Sequence, residues 1–211
     1  MSSATFSEDF QSGLRDLMRW RRDVRRFRTD LVDEAILRDC LDTFLLAPSV
    51  GLSEPWRVVE LQSSGARGAA LDNFRAANAR ALAGYDGDTA HLYSNLKLSG
   101  MQEAPVQLVV YCAEDTEKGA GLGAQTMPEM RRYSVVGAIT QFWLAARAKG
   151  LGVGWVSILD PDDLARALDI PDDWALVAYL CVGWPEETSD TPELEQAGWE
   201  TRRASLPREV R

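Results

Sequence analysis

The segment that most constrains this chain is Ser134 to Ala148, SVVGAITQFWLAARA. Val135, Ile139, Phe142 and Ala146 recur there on one stripe at helical spacing, while Val136, Trp143 and Leu144 cover other faces. A helix apolar nearly all round has to be buried. At about 15 residues it falls short of the roughly 20 that a bilayer requires, so the burial is expected in a core or between two subunits.

The remaining elements are read around that helix. Ser7 is a plausible N-cap for a first helix carrying Phe10, Leu14, Leu17 and Met18, which runs into an arginine cluster. Val32 to Leu46 keeps the helical period through Ile36, Leu37, Leu41 and Leu45, until Pro48 bars continuation and leaves Ser49-Val50-Gly51 as a tight loop. Strands are predicted at residues 56–61 (WRVVEL), 106–112 (VQLVVYC), 155–159 (WVSIL) and 176–182, with helices at 66–80 and 161–168. Periodicity fades from Gly84 to Gly100, which predicts a loop-rich lid or partner-contact region, and Thr116 to Met130 reads as a mobile loop. Residues 1–6 and 188–211 are expected to form extended or flexible arms. The sum is one α+β domain over residues 1–211, with a small mixed or antiparallel sheet surrounded by helices.

Composition excludes several chemistries. The chain has 211 residues, a formal charge of −9, one histidine (His91) and three cysteines (Cys40, Cys112, Cys181) without CxxC spacing. A poly-histidine metal site cannot be built, a zinc or redox cysteine pair is disfavoured, and buried thiols are expected. No uninterrupted apolar stretch of signal-peptide or membrane-spanning length occurs, so a soluble cytoplasmic protein is expected. Net acidity argues against nucleic acid. Against that background RWRRDVRRFR, residues 19–28, holds six of the 23 basic residues, a local reversal of sign that suits a phosphorylated ligand. The competing reading is a solvated helix C-terminus, where cations are favourable. Asp23 stands inside this cluster, where flanking guanidinium groups are expected to keep it ionised.

GLGVG, residues 150–154, lacks the strand-then-helix context of a dinucleotide fingerprint. It reads either as a helix C-cap at Gly150 followed by a turn, or as backbone that a flat ligand can approach closely at Gly152 and Gly154. Ser157, inside the predicted strand, defaults to a hydrogen-bonded core serine, and His91 to a structural or exposed one. Trp155, beside the glycines, is the tryptophan most suggestive of a role beyond core filling.

Several segments together, in order along nearly the whole chain, resemble the successive signatures of the 5,6-dimethylbenzimidazole synthase family of the nitroreductase superfamily. They are RRDVRRF (21–27), APSVGLSEPW (47–56), NLKLSGMQEAPVQL (95–108), MPEMRRYSVVGAI (127–139), LAARAKGLGVGWVSIL (144–159), LVAYLCVGWPEE (176–187) and PELEQAGWE (192–200). The resemblance implies a nitroreductase-like fold and an intertwined homodimer holding FMN at its interface. It implies that Arg21, Arg22, Val24 and Arg25 hold the phosphate and ribityl chain, that Ser49, Gly51 and Leu52 line the flavin, and that Leu96, Lys97 and Leu98 approach from the other side. Gly154, Val156 and Ser157 would face the isoalloxazine. Asp23, which also contacts the ligand, and Ser157 are the implied catalytic residues. The implied reaction is the O2-dependent fragmentation of reduced FMN to 5,6-dimethylbenzimidazole and erythrose 4-phosphate for the lower ligand of cobalamin. No metal is implied, and reduced FMN comes from a separate flavin reductase. The alternatives are an NAD(P)H-dependent nitroreductase or dehalogenase-like enzyme that retains FMN, and a non-catalytic flavin-binding protein. Glu54, Ser99 and Ala124 depart from the family's pattern at the pocket rim and lid, where glutamine, an acidic residue and a basic residue are common.

Overall fold

Every residue of β2 (Val106–Ala113) is buried. The strand lies inside a four-stranded antiparallel sheet ordered β1-β2-β4-β3, with β1 at Trp56–Glu60, β3 at Gly152–Val156 and β4 at Trp174–Gly183. Because side chains alternate across a strand, two apolar layers form. Val106, Leu108, Val110 and Cys112 face one layer with α2 (Glu34–Leu41) and α5 (Met130–Ala148). Val109 and Tyr111 face the other, covered by α3 (Ser64–Leu82) and α6 (Pro161–Ala167). The computed structural model describes residues 5–211, so most of the N-terminal arm expected over residues 1–6 lies outside the described residues.

Local chemistry explains most boundaries. Ser7 caps α1 (Glu8–Trp20) by accepting from the Phe10 N–H, Ser63 caps α3 through the Ala66 N–H, and Asp160 caps α6 just before Pro161. α5 ends at Ala148 with Lys149 as its cap, and Gly150 just beyond takes φ +86°, which allows the Leu151 N–H to reach back to the Ala146 carbonyl at 2.9 Å. The C-cap reading of Gly150 therefore holds to within one residue.

Four expectations are corrected. The helix expected to Leu46 stops at Leu41 and tightens into a 3-10 turn, Asp42–Leu46, which keeps Phe44 in the core and leaves Leu45 and Leu46 exposed. The strand expected at 155–159 sits at 152–156, because Gly152 and Gly154 belong to it. The region expected to be loop-rich contains α4 (Gly87–Asn95), in which Tyr93 alone is fully buried, too little to make a periodic signal. The tail expected to be extended carries α7 (Glu193–Gln196).

α5 is also not buried all round within one chain. Ser134, Val135, Ala138, Ile139, Phe142 and Ala146 are buried, but Tyr133 is 57% and Val136 39% exposed. α1 buries no residue and presents Phe10, Leu14 and Met18 to solvent. Among the described residues no helix is long and apolar enough to cross a membrane.

The glycines of β3 give a stability test. A Cβ at Gly154 would overlap the Val24 carbonyl oxygen, backbone that cannot swing away, whereas a Cβ at Gly68 in α3 meets nothing within 4 Å. Urea denaturation should show Gly154→Ala losing about 3 kcal/mol or more through overpacking. Gly68→Ala should gain about 0.5–1 kcal/mol from helix propensity.

Candidate functional site

α1 stops at Trp20, and from Arg21 (φ −72°, ψ 113°) the chain runs extended along the free edge of β3. Asp23 bridges Val153 in parallel, and the Val24 N–H donates to the Val153 carbonyl at 3.0 Å. The Trp155 N–H donates to Asp23 Oδ1 at 2.8 Å. Farther on, Phe27 is 1% exposed and packed so tightly on Gly100 that a Cβ there would overlap its ring, while Gly183, next to Phe27, is closed to a Cβ by Pro105. The Arg28 N–H donates to the Trp184 carbonyl (2.9 Å) and the Glu186 N–H to the Arg26 carbonyl (3.1 Å). Residues 23–28 are thus stitched between the edge of β3 and the chain leaving β4. This corrects the reading of GLGVG as a ligand-approach surface, since Val24 fills the space over Gly152 and Gly154.

The stitching gathers cations. Arg25 donates from Nε to Asp23 Oδ2 (2.9 Å) and from Nη1 to the Lys97 carbonyl (3.1 Å). The Arg21 guanidinium lies 4.6 Å over the Trp143 ring, which neighbours Trp155 at 6.3 Å. Arg22 donates from Nε to the Asp190 carbonyl at 2.9 Å, and Arg26 pairs with Glu193. Arg202 joins the group, lining a cavity of about 160 Å³ with Arg21, Arg22, Asp23, Arg25 and Leu194. A larger cavity of about 600 Å³ adjoins, between Arg22–Arg26 and the chain from Glu187 to Ala197. Burial and then repulsion from Arg202 lower the pKa of both Arg21 and Arg22, against the raising effects of Asp23 on Arg21 and of Asp190 and Glu195 on Arg22. The sequence leaves open whether Arg202 and Arg203 reach a bound phosphate, because nothing in the order of residues says that the tail folds back; the fold brings Arg202 to the cluster.

Asp23 differs from expectation. Burial is the largest influence and raises its pKa, against the lowering effects of Arg25, the Trp155 N–H and Arg21. Desolvation, not the guanidinium field, sets the direction.

The other candidates fall into two groups. Leu96, Lys97 and Leu98 adjoin the cluster through the Arg25 bond to Lys97, whose ammonium pairs with Glu103, and Leu98 packs into the second apolar layer. Gly154 is in β3 under Val24. Val156 is a core side chain, and Ser157 is an exposed residue just past the strand, not a core serine. His91 is exposed on α4, and all three cysteines are buried free thiols, with burial pushing Cys112 to about 11 and Cys181 to about 12.

Ser49, Gly51 and Leu52 lie elsewhere, in a turn before β1. Ser49 Oγ accepts from the Glu54 N–H (3.0 Å), Ser134 Oγ accepts from the Val50 N–H (3.0 Å), and Leu52 is 68% exposed. Gly51 takes φ +57° beneath the Gly119–Leu122 loop, where a Cβ would come within 2.8 Å of the Leu122 carbonyl oxygen. Glu54 pairs with Lys118 on that loop, and Ala124 is buried within it. β1 and β3 are opposite edges of the sheet, roughly 14 Å apart at three strand spacings. They also pair toward opposite ends of β4, since Trp56 aligns through Cys112 with Ala175 whereas Val153 aligns with Val182. Within one chain the arginine cluster and the Ser49–Leu52 turn therefore lie at diagonal corners of the sheet.

The nitroreductase family matches residues 18–184. A 5,6-dimethylbenzimidazole synthase of Rhodospirillum rubrum is 54% identical over 198 residues, covering 94% of this chain and 94% of its own. A 5,6-dimethylbenzimidazole synthase of Rhodobacter capsulatus is 46% identical over 195 residues, covering 92% and 94%. Among solved structures, oxidised iodotyrosine deiodinase bound to FMN and 3-iodo-L-tyrosine superposes with a TM-score of 0.74 at 22% identity, over 94% of this chain and 99% of that one. At that identity the likeness is one of fold.

The environment of Asp23 predicts a pH signature. Its ordinary pKa is 3.8 and the folded value is higher, so the folded chain binds the proton more tightly than the unfolded chain does. The associated stability is present at low pH and is lost as pH rises from the unfolded value through the folded one. Asp23→Asn cannot ionise, so its stability relative to wild type should improve across that interval in urea denaturation at stepped pH. A flat difference would show that burial does not dominate at Asp23.

Proposed function

The chain belongs to the nitroreductase family, whose members are oxidoreductases, and on that premise we propose that it is a 5,6-dimethylbenzimidazole synthase. In this reading it takes reduced FMN and O2 and fragments the flavin, giving 5,6-dimethylbenzimidazole, the lower ligand of cobalamin, and erythrose 4-phosphate. The relatives that bear the synthase name support it. So does one observation at the site, a carboxylate where phosphate binding alone needs only cations. Asp23 sits inside the arginine cluster and partly offsets its charge, and desolvation raises its pKa toward the range useful for proton transfer.

The residues present fit a phosphorylated flavin. Arg21, Arg22 and Arg202 repel one another around a small cavity, and a phosphate dianion would relieve that repulsion through bidentate contacts. Bound reduced flavin supplies the electrons for O2 reduction, and no metal is required for that step. Asp23 accepts a proton at the ribityl end, with Arg25 and the Trp155 N–H fixing its two oxygens. Val24 seats this segment on β3 and covers Gly154, Val156 supports the strand from the core, and the exposed Ser157 hydroxyl just past the strand is the group of this trio free to face the ring. Leu96, Lys97 and Leu98 close the side beside Arg25.

Ser49, Gly51 and Leu52 reach the same flavin from a second copy of the chain, which reconciles the diagonal placement of the two regions. A homodimer also covers the open apolar faces of α1 and α5, too extensive to leave in water. The enzyme acts in the cytoplasm on reduced FMN delivered by a separate reductase.

The deciding experiment is anaerobic loading with reduced FMN, admission of air and mass spectrometry. 5,6-Dimethylbenzimidazole should appear as flavin disappears. Quantitative reoxidation to intact FMN would instead indicate an enzyme that retains its flavin. Asp23→Asn should still bind FMN but form product at least about 100-fold more slowly, the usual scale for removing an acid–base group, and unchanged yield would remove Asp23 from the mechanism. Light scattering should give a dimer, and a clean monomer would contradict the shared site.

A further inference from the structure

The chain after residue 184 lies beyond the stretch that the nitroreductase family matches, yet it closes the arginine cluster. α7 ends in a Schellman turn, with Gly198 at φ +75°, its N–H donating to the Glu195 carbonyl (3.1 Å) and the Trp199 N–H donating to the Leu194 carbonyl (2.9 Å). That reversal sets the Trp199 ring against Tyr85 (centroids 5.8 Å apart, interplanar angle 88°) and Tyr93 (6.3 Å, 60°). The two tyrosines contact each other at 4.9 Å, and the Tyr93 hydroxyl donates to Asn78 Oδ1 at 2.7 Å, which fixes the aromatic group to α3 and α4. Upstream, the Asp190 carbonyl and the Glu193 carboxylate hold Arg22 and Arg26.

Beyond Trp199 every residue is exposed, so Trp199 is the last point at which the chain is anchored. Arg202 follows three residues later, a reach of about 10 Å of extended chain. It lines the cavity with Arg21 and Arg22.

We propose that Trp199 is a positioning residue that touches no ligand itself but carries Arg202 into the cavity as a fourth guanidinium beside Arg21, Arg22 and Arg25, and so sets the preference for a phosphorylated over an unphosphorylated flavin. The inference rests on the reading of this cluster as the flavin phosphate site. It also makes α4 and the phosphate cavity two ends of one strap, since the aromatic contact that fixes Arg202 is made with Tyr93 of α4.

The test is titration of the full-length protein with oxidised FMN and with riboflavin, which differ in the phosphate, and needs no turnover. Trp199→Ala should weaken FMN binding about tenfold, the scale of one charge-assisted contact, and leave riboflavin affinity unchanged. Trp199→Phe, which keeps an aromatic face, should restore most of the FMN preference. The double variant Trp199→Ala/Arg202→Gln should bind FMN no more weakly than Arg202→Gln alone, because both changes remove one contact. Parallel loss of both flavins, an unchanged ratio, or additive effects would each overturn the inference. So would a wild type with no preference for FMN, whatever the aerobic assay gives. A wild type that prefers FMN and responds as expected, but forms no benzimidazole, would sink the fragmentation reading and leave the role of Trp199 standing.

Discussion

The site depends on the seating of residues 23–28 against the free edge of β3. An edge strand offers unpaired backbone donors and acceptors, and here Val153 and Trp155 spend theirs on Val24 and on the Asp23 carboxylate. Phe27 fixes the far end of the segment by filling the space left by Gly100. Between these anchors Arg25 and Arg26 have little freedom in where they project, and Arg21 and Arg22 are held just upstream by Trp143 and the Asp190 carbonyl. A cluster of like charges is costly to assemble, and the neutral backbone contacts on either side hold it together.

The glycines of GLGVG belong to the same constraint. Their lack of side chains admits the chain's own Val24 and Phe27 rather than a ligand, and so moves the functional meaning of the motif one step away from the ligand. Asp23 shows a similar inversion. Its neighbours in sequence are arginines, which favour its ionised form, but the fold turns the carboxylate inward to the Trp155 N–H, where desolvation outweighs them. The result is a carboxyl group whose charge state responds to its solvation.

In the proposed reading, a second chain that brings its Ser49–Leu52 turn to the arginine cluster of the first would account both for the diagonal placement of the two regions and for the exposed apolar faces of α1 and α5. The tail adds a third contribution within each chain, crossing from α4 to the cluster through Trp199. In that same reading, binding would couple the cavity beside Arg202, α4 and the contact between chains.

Much of this was legible in the residues. The period of Phe10 to Met18, the β-branched run of β2, the caps at Ser7 and Gly150 and the sign reversal at Arg19–Arg28 are local signals, and local signals survive in a linear sequence because the interactions behind them span a few residues. The segments resembling the synthase family fixed the family in the same way. What tertiary structure decided depended on contacts between distant residues. These include the shift of β3 onto Gly152–Val156 because Val24 covers it, the exposed position of Ser157, the helix at Gly87–Asn95 that only Tyr93 buries fully, the raised pKa of Asp23, and the return of Arg202 across the chain to Arg21. None of these leaves a periodic or compositional trace, because each is set by which surfaces meet, and that is determined only when the whole chain has folded.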